Sequence, residues 1–566
     1  MYKNKLLFLS LILLAGSMGC KKQLNVGNPN SPTIPQNVYN QTGLIAFAQG
    51  IVYEDGFAPS NAYNWLGSSY FSLNNGYSEL LADNVSSDDA NELVNTINTP
   101  AYVVLDDGTQ YPATPNETNT QQLRVGNTRS STAAGYNPFY YTWANMYILN
   151  GACNTLLSLI PTIKTTSADA SNTVTAWGQF WKGYAYSIIA TQYYAGIVNN
   201  VAGADNNNYL IKDSILAQSN YWYAQAQATL NLIPSGSTDY STVMGGLLPT
   251  DFQQSTHGGL ITTAMWGRII NTLLARNILE NKLAPFVNGN LSSAITGSSI
   301  SAMAASDWQS VLTLATNGIQ LGDYMFTAVS LQENGIIGAT SGSAALLTAG
   351  PNSNTVYKIT PRFTEDFNAG DQRLALDFST TNGTYYSSYF STPYSLTNQP
   401  NGSGGTVYNY GDQTIGVYEV YIAGSYEENE LILAEANLRL GNTGTGLGQI
   451  DLVRQYQGAG VPSVGGLSGN PSAAYNELVK ERRVALFDRG ISFWDARRWG
   501  WTYDISKGGG SYGNSMIYVP SSGSPVNNVN VTFDYDFLDY WDVPADEVQL
   551  NPPSAATAKV VVNPNF

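Results

Sequence analysis

Few residues in this chain are equipped for covalent chemistry. There is one histidine, His257, in the run Ser255-Thr256-His257-Gly258-Gly259, and there are two cysteines, Cys20 and Cys153. One His and one Cys far apart make no metal cluster. A Ser-His-Asp relay would have to pass through His257, and no G-x-S-x-G elbow presents a serine to it. A G-x-x-x-x-G-K-S/T phosphate loop is absent as well. Adjacent acids stand at Asp88-Asp89 and Glu427-Glu428. A glycosidase needs two carboxylates facing each other at about 5–9.5 Å. Glu427, Glu428 and Glu430 instead fall at a helix start, where they complement the macrodipole. Asp88 and Asp89, even with Asp83, lack the spacing of a calcium loop. Asp88-Asp89 is expected on solvated surface, and no catalytic residue, cofactor or metal is expected.

The charge balance excludes a second class. The chain has 25 Lys+Arg against 41 Asp+Glu, a formal charge of −16. Gripping phosphate backbones demands clustered Lys and Arg, so no nucleic-acid partner is expected. The densest charge runs from Lys480-Glu481-Arg482-Arg483 through Asp488-Arg489 to Asp495 and Arg497-Arg498. Acids interleave with bases there, among Val484, Leu486, Phe487, Phe493 and Trp494. That pattern predicts an ion-pair lattice over apolar packing, with Glu481, Asp488 and Asp495 on one helical face. Only 12% of residues are charged, while 38 are Tyr and 11 are Trp. The polar surface must therefore be Asn, Ser, Thr, Gly and Tyr, which suits neutral polar ligands, sugars above all.

Helical periodicity identifies the elements that carry these residues. Trp143, Met146, Tyr147, Asn150, Asn154 and Leu157 share a face, as do Trp177, Phe180, Trp181, Tyr184 and Ile188. Faces led by Trp222, Trp266 and Trp308 follow, and later helices are expected near Glu428–Leu440 and Ala473–Asp488. The 34 residues between Trp143 and Trp177 match the tetratricopeptide period. The expectation is a mainly α fold of tetratricopeptide-like helical hairpins, an α/α superhelix, with helices mainly over 141–325 and 425–500 and each early helix opening at its Trp. Cys153, on an apolar helix, reads as a small buried hydrophobe. Between the helices, 56–137, 234–260, 330–425 and 500–566 read as long neutral loops, uncommon unless they do something. Short strands are expected at Tyr102–Leu105 and Lys559–Val562, too few for a large sheet.

The amino terminus reads as an export signal. Lys3 and Lys5 precede an apolar core, Leu6 to Ala15, then Gly16-Ser17-Met18-Gly19-Cys20. A core of about ten residues is too short to span a bilayer. The small residue before Cys20 resembles a bacterial lipobox, in which the cysteine is lipidated and becomes residue one. Residues 1–19 are then a signal peptide, 20–40 a lipid-anchored tether broken by Pro29, Pro32 and Pro35, and 41–566 a single domain. Removal of Lys3 and Lys5 brings the charge to −18.

Three motifs carry a specific resemblance. They are ELILAEANLRLG from Glu430 to Gly441, Glu477 through Arg483 with Asp488-Arg489-Gly490, Phe493, Asp495 and Arg498-Trp499-Gly500, and Trp541-Asp542-Val543-Pro544 with Glu547 and Asn551-Pro552. Together they resemble the SusD/RagB family of Bacteroidota outer-membrane lipoproteins, and Trp143, Tyr147, Asn154, Phe180–Tyr186, Asp371 and Arg373 agree in order. The resemblance implies a helical scaffold with variable loop-rich binding regions at about 56–137 and 330–425. It implies an outer-membrane, lipid-anchored protein facing outward, which captures a nutrient, most often a glycan, for a SusC-like TonB-dependent transporter. Lys21-Lys22-Gln23 lacks the acids often linked with surface export, so the outward orientation comes from the resemblance alone. No motif assigns the ligand contacts. Aromatic platforms for sugar faces and polar groups for hydroxyls point to Trp65, Tyr102, Tyr136, Tyr385 and Tyr389, with Asp83 and Asn84. A peptide binder and a glycoside hydrolase are the competing functions.

Overall fold

The structure is a computed structural model; it describes residues 38–53, 76–87, 97, 99–112, 119–128, 138–249, 257–284, 300–329, 358–381, 383–386, 391–396, 419–518 and 526–565. The signal, Cys20 and most of the tether lie outside these residues, as do Trp65, Asp88, Asp89, Tyr136 and Tyr389.

Helices dominate. After α1 (Gln41–Gly50) come α2 (Pro138–Leu159), α3 (Ala168–Gln192), α4 (Lys212–Leu230), α5 (Thr238–Leu247), α6 (Thr263–Glu280) and α7 (Ala305–Thr316). A second group is α8 (Tyr426–Arg439), α9 (Thr443–Tyr456), α10 (Pro471–Ala485) and α11 (Ser492–Arg498). Chain neighbours stack: α2 on α3, α3 on α4, α4 on α6, α6 on α7, α7 on α8, and α8 on α9 and α10. This is the expected succession of helical hairpins, in which each pair buries its apolar face against the next.

Caps, not tryptophans, set the helix starts. Ser167 accepts from the Ala170 amide to open α3, Thr262 from Met265 to open α6, and Ser425 from Glu428 to open α8. Trp143 and Trp177 therefore sit well inside α2 and α3, correcting the expectation that each helix opens at its Trp. Their mid-helix placement lets them meet partners on several elements. Trp177, Phe180 and Trp181 are fully buried and meet Trp266 and Phe326 with ring centroids 5.2–6.2 Å apart. The Trp177 indole also donates to the Ala48 carbonyl at 2.7 Å, fastening α1. Cys153 is buried in the same core, where burial pushes its thiol up to about 12. All four apparent loops contain regular elements. Residues 234–260 contain α5, whose Tyr240, Val243, Met244 and Leu247 are buried at helical spacing.

The segment 500–566 contains the two longest strands among the described residues. Strands β1 (Val85–Ser86), β2 (Tyr102–Leu105), β3 (Gln110–Pro112), β4 (Lys358–Ile359), β5 (Tyr385–Tyr386), β6 (Ser391–Thr392), β7 (Ser511–Tyr518) and β8 (Val526–Asp534) build the non-helical half. An antiparallel sheet runs β7-β8-β2-β3, so the expected strand at Tyr102–Leu105 is one of four. The other expected strand, Lys559–Val562, is turns. A backbone bond joins Val543 N to Val561 O at 2.9 Å. The next residue, Pro544, has no N–H with which to extend a ladder. Among the described residues no helix is long and apolar enough to cross a membrane.

Candidate functional site

The sheet separates two chemistries by strand alternation. Inward go Val103, Val531 and Phe533, all essentially buried, with the Arg362 guanidinium 4.2 Å over the Phe533 ring. Outward, the register places Tyr512 beside Thr532, Thr532 beside Val104, and Val104 beside Gln110. Two residues along, on the same face, Asp534 pairs with Tyr102. Tyr512 is 51% exposed, Gln110 is exposed, and Tyr102, Val104 and Thr532 are half-buried. Two strand spacings and two residues of rise put the Tyr102 and Tyr512 backbones about 12 Å apart, the reach of a short oligosaccharide.

The turn Tyr503–Gly510 covers one end of this face. Ile505 N donates to the Asp534 carboxylate at 3.4 Å, and Lys507 pairs with Asp536 at 3.0 Å. Gly510 allows the close approach: its φ is 92°, and a Cβ there would lie 2.9 Å from the Thr532 methyl. Asp534 is fully buried under this turn, and burial, with Asp504 and Asp536 nearby, pushes its carboxyl up to about 7. The Tyr102 hydroxyl interacts with that carboxylate; burial first, then Asp534, raise its pKa above the phenolic range.

Tyr385 comes to the same body. Its strand β5 pairs with β6, which contacts the β7 edge of the sheet, and the Lys358 ammonium lies 4.4 Å over its ring. Tyr102 and Tyr385 are thus gathered on one β-rich half, while Trp65, Tyr136 and Tyr389 lie outside the described residues. Asp83 and Asn84 turn inward. Asp83, 2% exposed, is gripped by both Arg362 donors, and Asn84 accepts from Arg483 at 2.8 Å while donating to Glu79 at 2.6 Å. The β1–β4 pairing of Val85 with Ile359 brings this acid to Arg362, a partner far away in sequence. The sequence reading passed over Tyr512, Thr532 and Gln110. For Thr532 the signal was legible as the period-two run Val529, Val531, Phe533, Tyr535, Phe537 with Asn530, Thr532, Asp534 and Asp536 between.

No family profile matches the chain, and no curated protein matches it in sequence. Solved structures do match it in shape. A SusD superfamily protein from Bacteroides vulgatus aligns over 91% of this chain and 97% of its own, at 15% identity and TM-score 0.51. One from Parabacteroides distasonis aligns over 90% and 97%, at 13% identity and TM-score 0.52. A SusD-like carbohydrate-binding protein from Bacteroides fragilis aligns over 87% and 99%, at 15% identity and TM-score 0.50. The fold is SusD-like.

Within the SusD-like fold, the signature acids and bases fasten the late helices. Arg498 holds Glu435 through two bonds of 2.7 and 2.6 Å and Asp495 at 2.7 Å, and Arg482 holds Asp495 at 2.9 and 3.1 Å. Arg373 and Arg454 converge on Glu481 at 2.6 and 2.7 Å. All are buried, as the lattice reading requires. Asp488 is the exception to the single-face expectation. Helix α10 stops at Ala485, and Asp488 occupies the turn at φ 56°, its amide donating to Glu79 at 2.9 Å.

Glu427 and Glu428 stand in the first turn of α8, the helix start expected of them. They are buried, paired with Arg489 at 2.9 Å and with Arg276 at 2.6 Å. Glu428 and Arg489 border a partly open cavity of about 90 Å³ that also touches Glu280, Tyr421, Trp494 and Trp541. One oxygen of Glu280 meets no hydrogen-bond donor among the described residues, and burial pushes its carboxyl up to about 8. The two ring nitrogens of His257 meet tyrosine hydroxyls, Tyr421 at 3.1 Å and Tyr456 at 2.7 Å. The histidine thereby joins the 419–421 strand to α9.

Proposed function

We propose that this protein is a lipid-anchored outer-membrane binder that captures a glycan and hands it to a SusC-like TonB-dependent transporter. The observation that carries the reading is the outward face of the β7-β8-β2-β3 sheet. It presents Tyr512 and Tyr102 among Thr532, Gln110 and Val104, with its one carboxylate, Asp534, covered. Tyrosine rings cover the C–H face of a sugar at low entropy cost, and neighbouring hydroxyl and amide groups satisfy its rim. Some solved structures of the same fold are of proteins described as sugar- or carbohydrate-binding, which supports the ligand class. The lipobox at Cys20 supports the anchor. Weak contact at several points also suits the role, because cargo must be released into a transporter.

Retardation of the mature protein in native gels cast with polysaccharides tests the reading. Retention by at least one glycan is expected, together with loss of that retention in the Tyr102→Ala/Tyr512→Ala double variant. Retention that survives both substitutions would remove the sheet face as the site. Co-purification of a β-barrel transporter with the membrane-extracted lipoprotein tests delivery.

A further inference from the structure

The charge of the saccharide follows from where the loop-rich half spends its cations, given the glycan reading above. Residues 56–137, 330–425 and 500–566 contain seven Lys and Arg against twenty-two Asp and Glu. Six of the seven cations lie in described residues, and five of those are committed to partners within the protein, Arg124 and Lys507 from half-buried positions. Arg362 is paired with Asp83, Arg373 with Asp371 and Glu481, Arg124 with Asp542, and Lys507 with Asp536. Lys358, 4% exposed, has its ammonium over the Tyr385 ring. The sixth, Lys559, is exposed among the C-terminal turns.

Around the candidate face the outward charge is negative. Asp106 and Asp107 form the exposed turn between β2 and β3, and Asp504 begins the turn that covers Asp534. Recognition of a carboxylate or sulfate relies on guanidinium or ammonium donors that are free to turn to it. Here five of the six described donors already face protein acids or rings, and an anion at the sheet would approach the exposed Asp106 and Asp107. An uncharged hydroxyl meets neither obstacle. We infer that the bound saccharide carries no acidic substituents, so that uronate-rich and sulfated glycans are excluded by the site itself.

The test uses the mature protein, a neutral polysaccharide that it retains, and the same polymer after oxidation of its primary hydroxyls to carboxylates. Binding to the neutral form should change less than twofold between 20 and 300 mM NaCl, and binding to the oxidised form should be at least tenfold weaker. Asp106→Lys, on the exposed turn, should raise binding of the oxidised polymer at least threefold and leave the neutral one unchanged. Equal or tighter binding of the oxidised polymer, or of polygalacturonate or chondroitin sulfate, would overturn the inference. If Tyr512→Ala abolished that acidic binding, the sheet face would stand as the site and the charge inference alone would fall. Failure to retain any polysaccharide would overturn the glycan reading and this inference with it.

Discussion

The junction of the late helices and the outward face of the sheet handle polar groups in opposite ways. Around Arg498, charge is concentrated and hidden: Glu435, Asp495, Arg482, Glu481 and Arg373 are all at most 5% exposed. On the sheet, charge is sparse, and the groups at the surface are phenol, amide and hydroxyl. A buried ion lattice is directional and costly to break, because removing one partner strands the other in low dielectric. A face of neutral groups can be altered with little structural consequence and can be tuned for a ligand. One surface holds a fold in register while the other is left free to recognise something.

The most severe way to test that contrast is Arg498→Ala. It strands Glu435 and leaves Asp495 to Arg482 alone, and should cost about 3–5 kcal/mol, read as a lower midpoint in urea denaturation or as loss of folded protein. A shift below about 1 kcal/mol would mean that the junction behaves like surface charge, and the comparison would fail. Next in size is the response to pH. Glu280 has a folded pKa of about 8 against an ordinary carboxylate value in the unfolded chain. Its contribution to stability is complete below the unfolded pKa and is lost as pH rises through the folded one, about 8. Glu435 and Asp495, held low despite burial because Arg498 and Arg482 lie beside them, contribute oppositely: their stability is lost as pH falls into the acid range. Melting temperature should therefore fall between about pH 4.5 and 8 in the native protein, and less steeply in Glu280→Gln. An unchanged slope across that window would remove Glu280 as a source.

Ser167→Ala, which deletes the cap of α3, should cost about 1 kcal/mol in the same denaturation experiment, since neighbouring helices hold the rest of that element. The smallest structural effect is expected at the sheet. Tyr512→Ala should change stability by less than about 0.5 kcal/mol and weaken glycan binding by about two- to tenfold, the worth of one aromatic contact. A large loss of stability in that variant would show that Tyr512 is a structural residue.

The scaffold was legible because its information is local. Period-3.6 apolar spacing, the caps Ser167 and Ser425, and the αL stop at Gly441, φ 85°, are encoded within a few residues of where they act. The motif around Arg498 announced its lattice through alternating signs, although the break at Asp488 shows that periodicity can run past a helix end. The candidate site was less legible. Tyr102 was singled out, yet Tyr512 and Thr532, which share its face, come from two strands hundreds of residues away and join it through ladder register.

By itself the amino-acid sequence determined the helical hairpins, the buried thiol of Cys153 and the poverty of exposed charge, since each depends on composition or short-range spacing. Tertiary structure alone decided the direction of the polar candidates. Pairing of Val85 with Ile359 delivered Asp83 to Arg362 and turned it inward, while pairing of Phe533 with Val103 sent Thr532 and Tyr102 outward. The physical reason is that a strand chooses its buried face by the partner it meets, and that partner can lie anywhere in the chain.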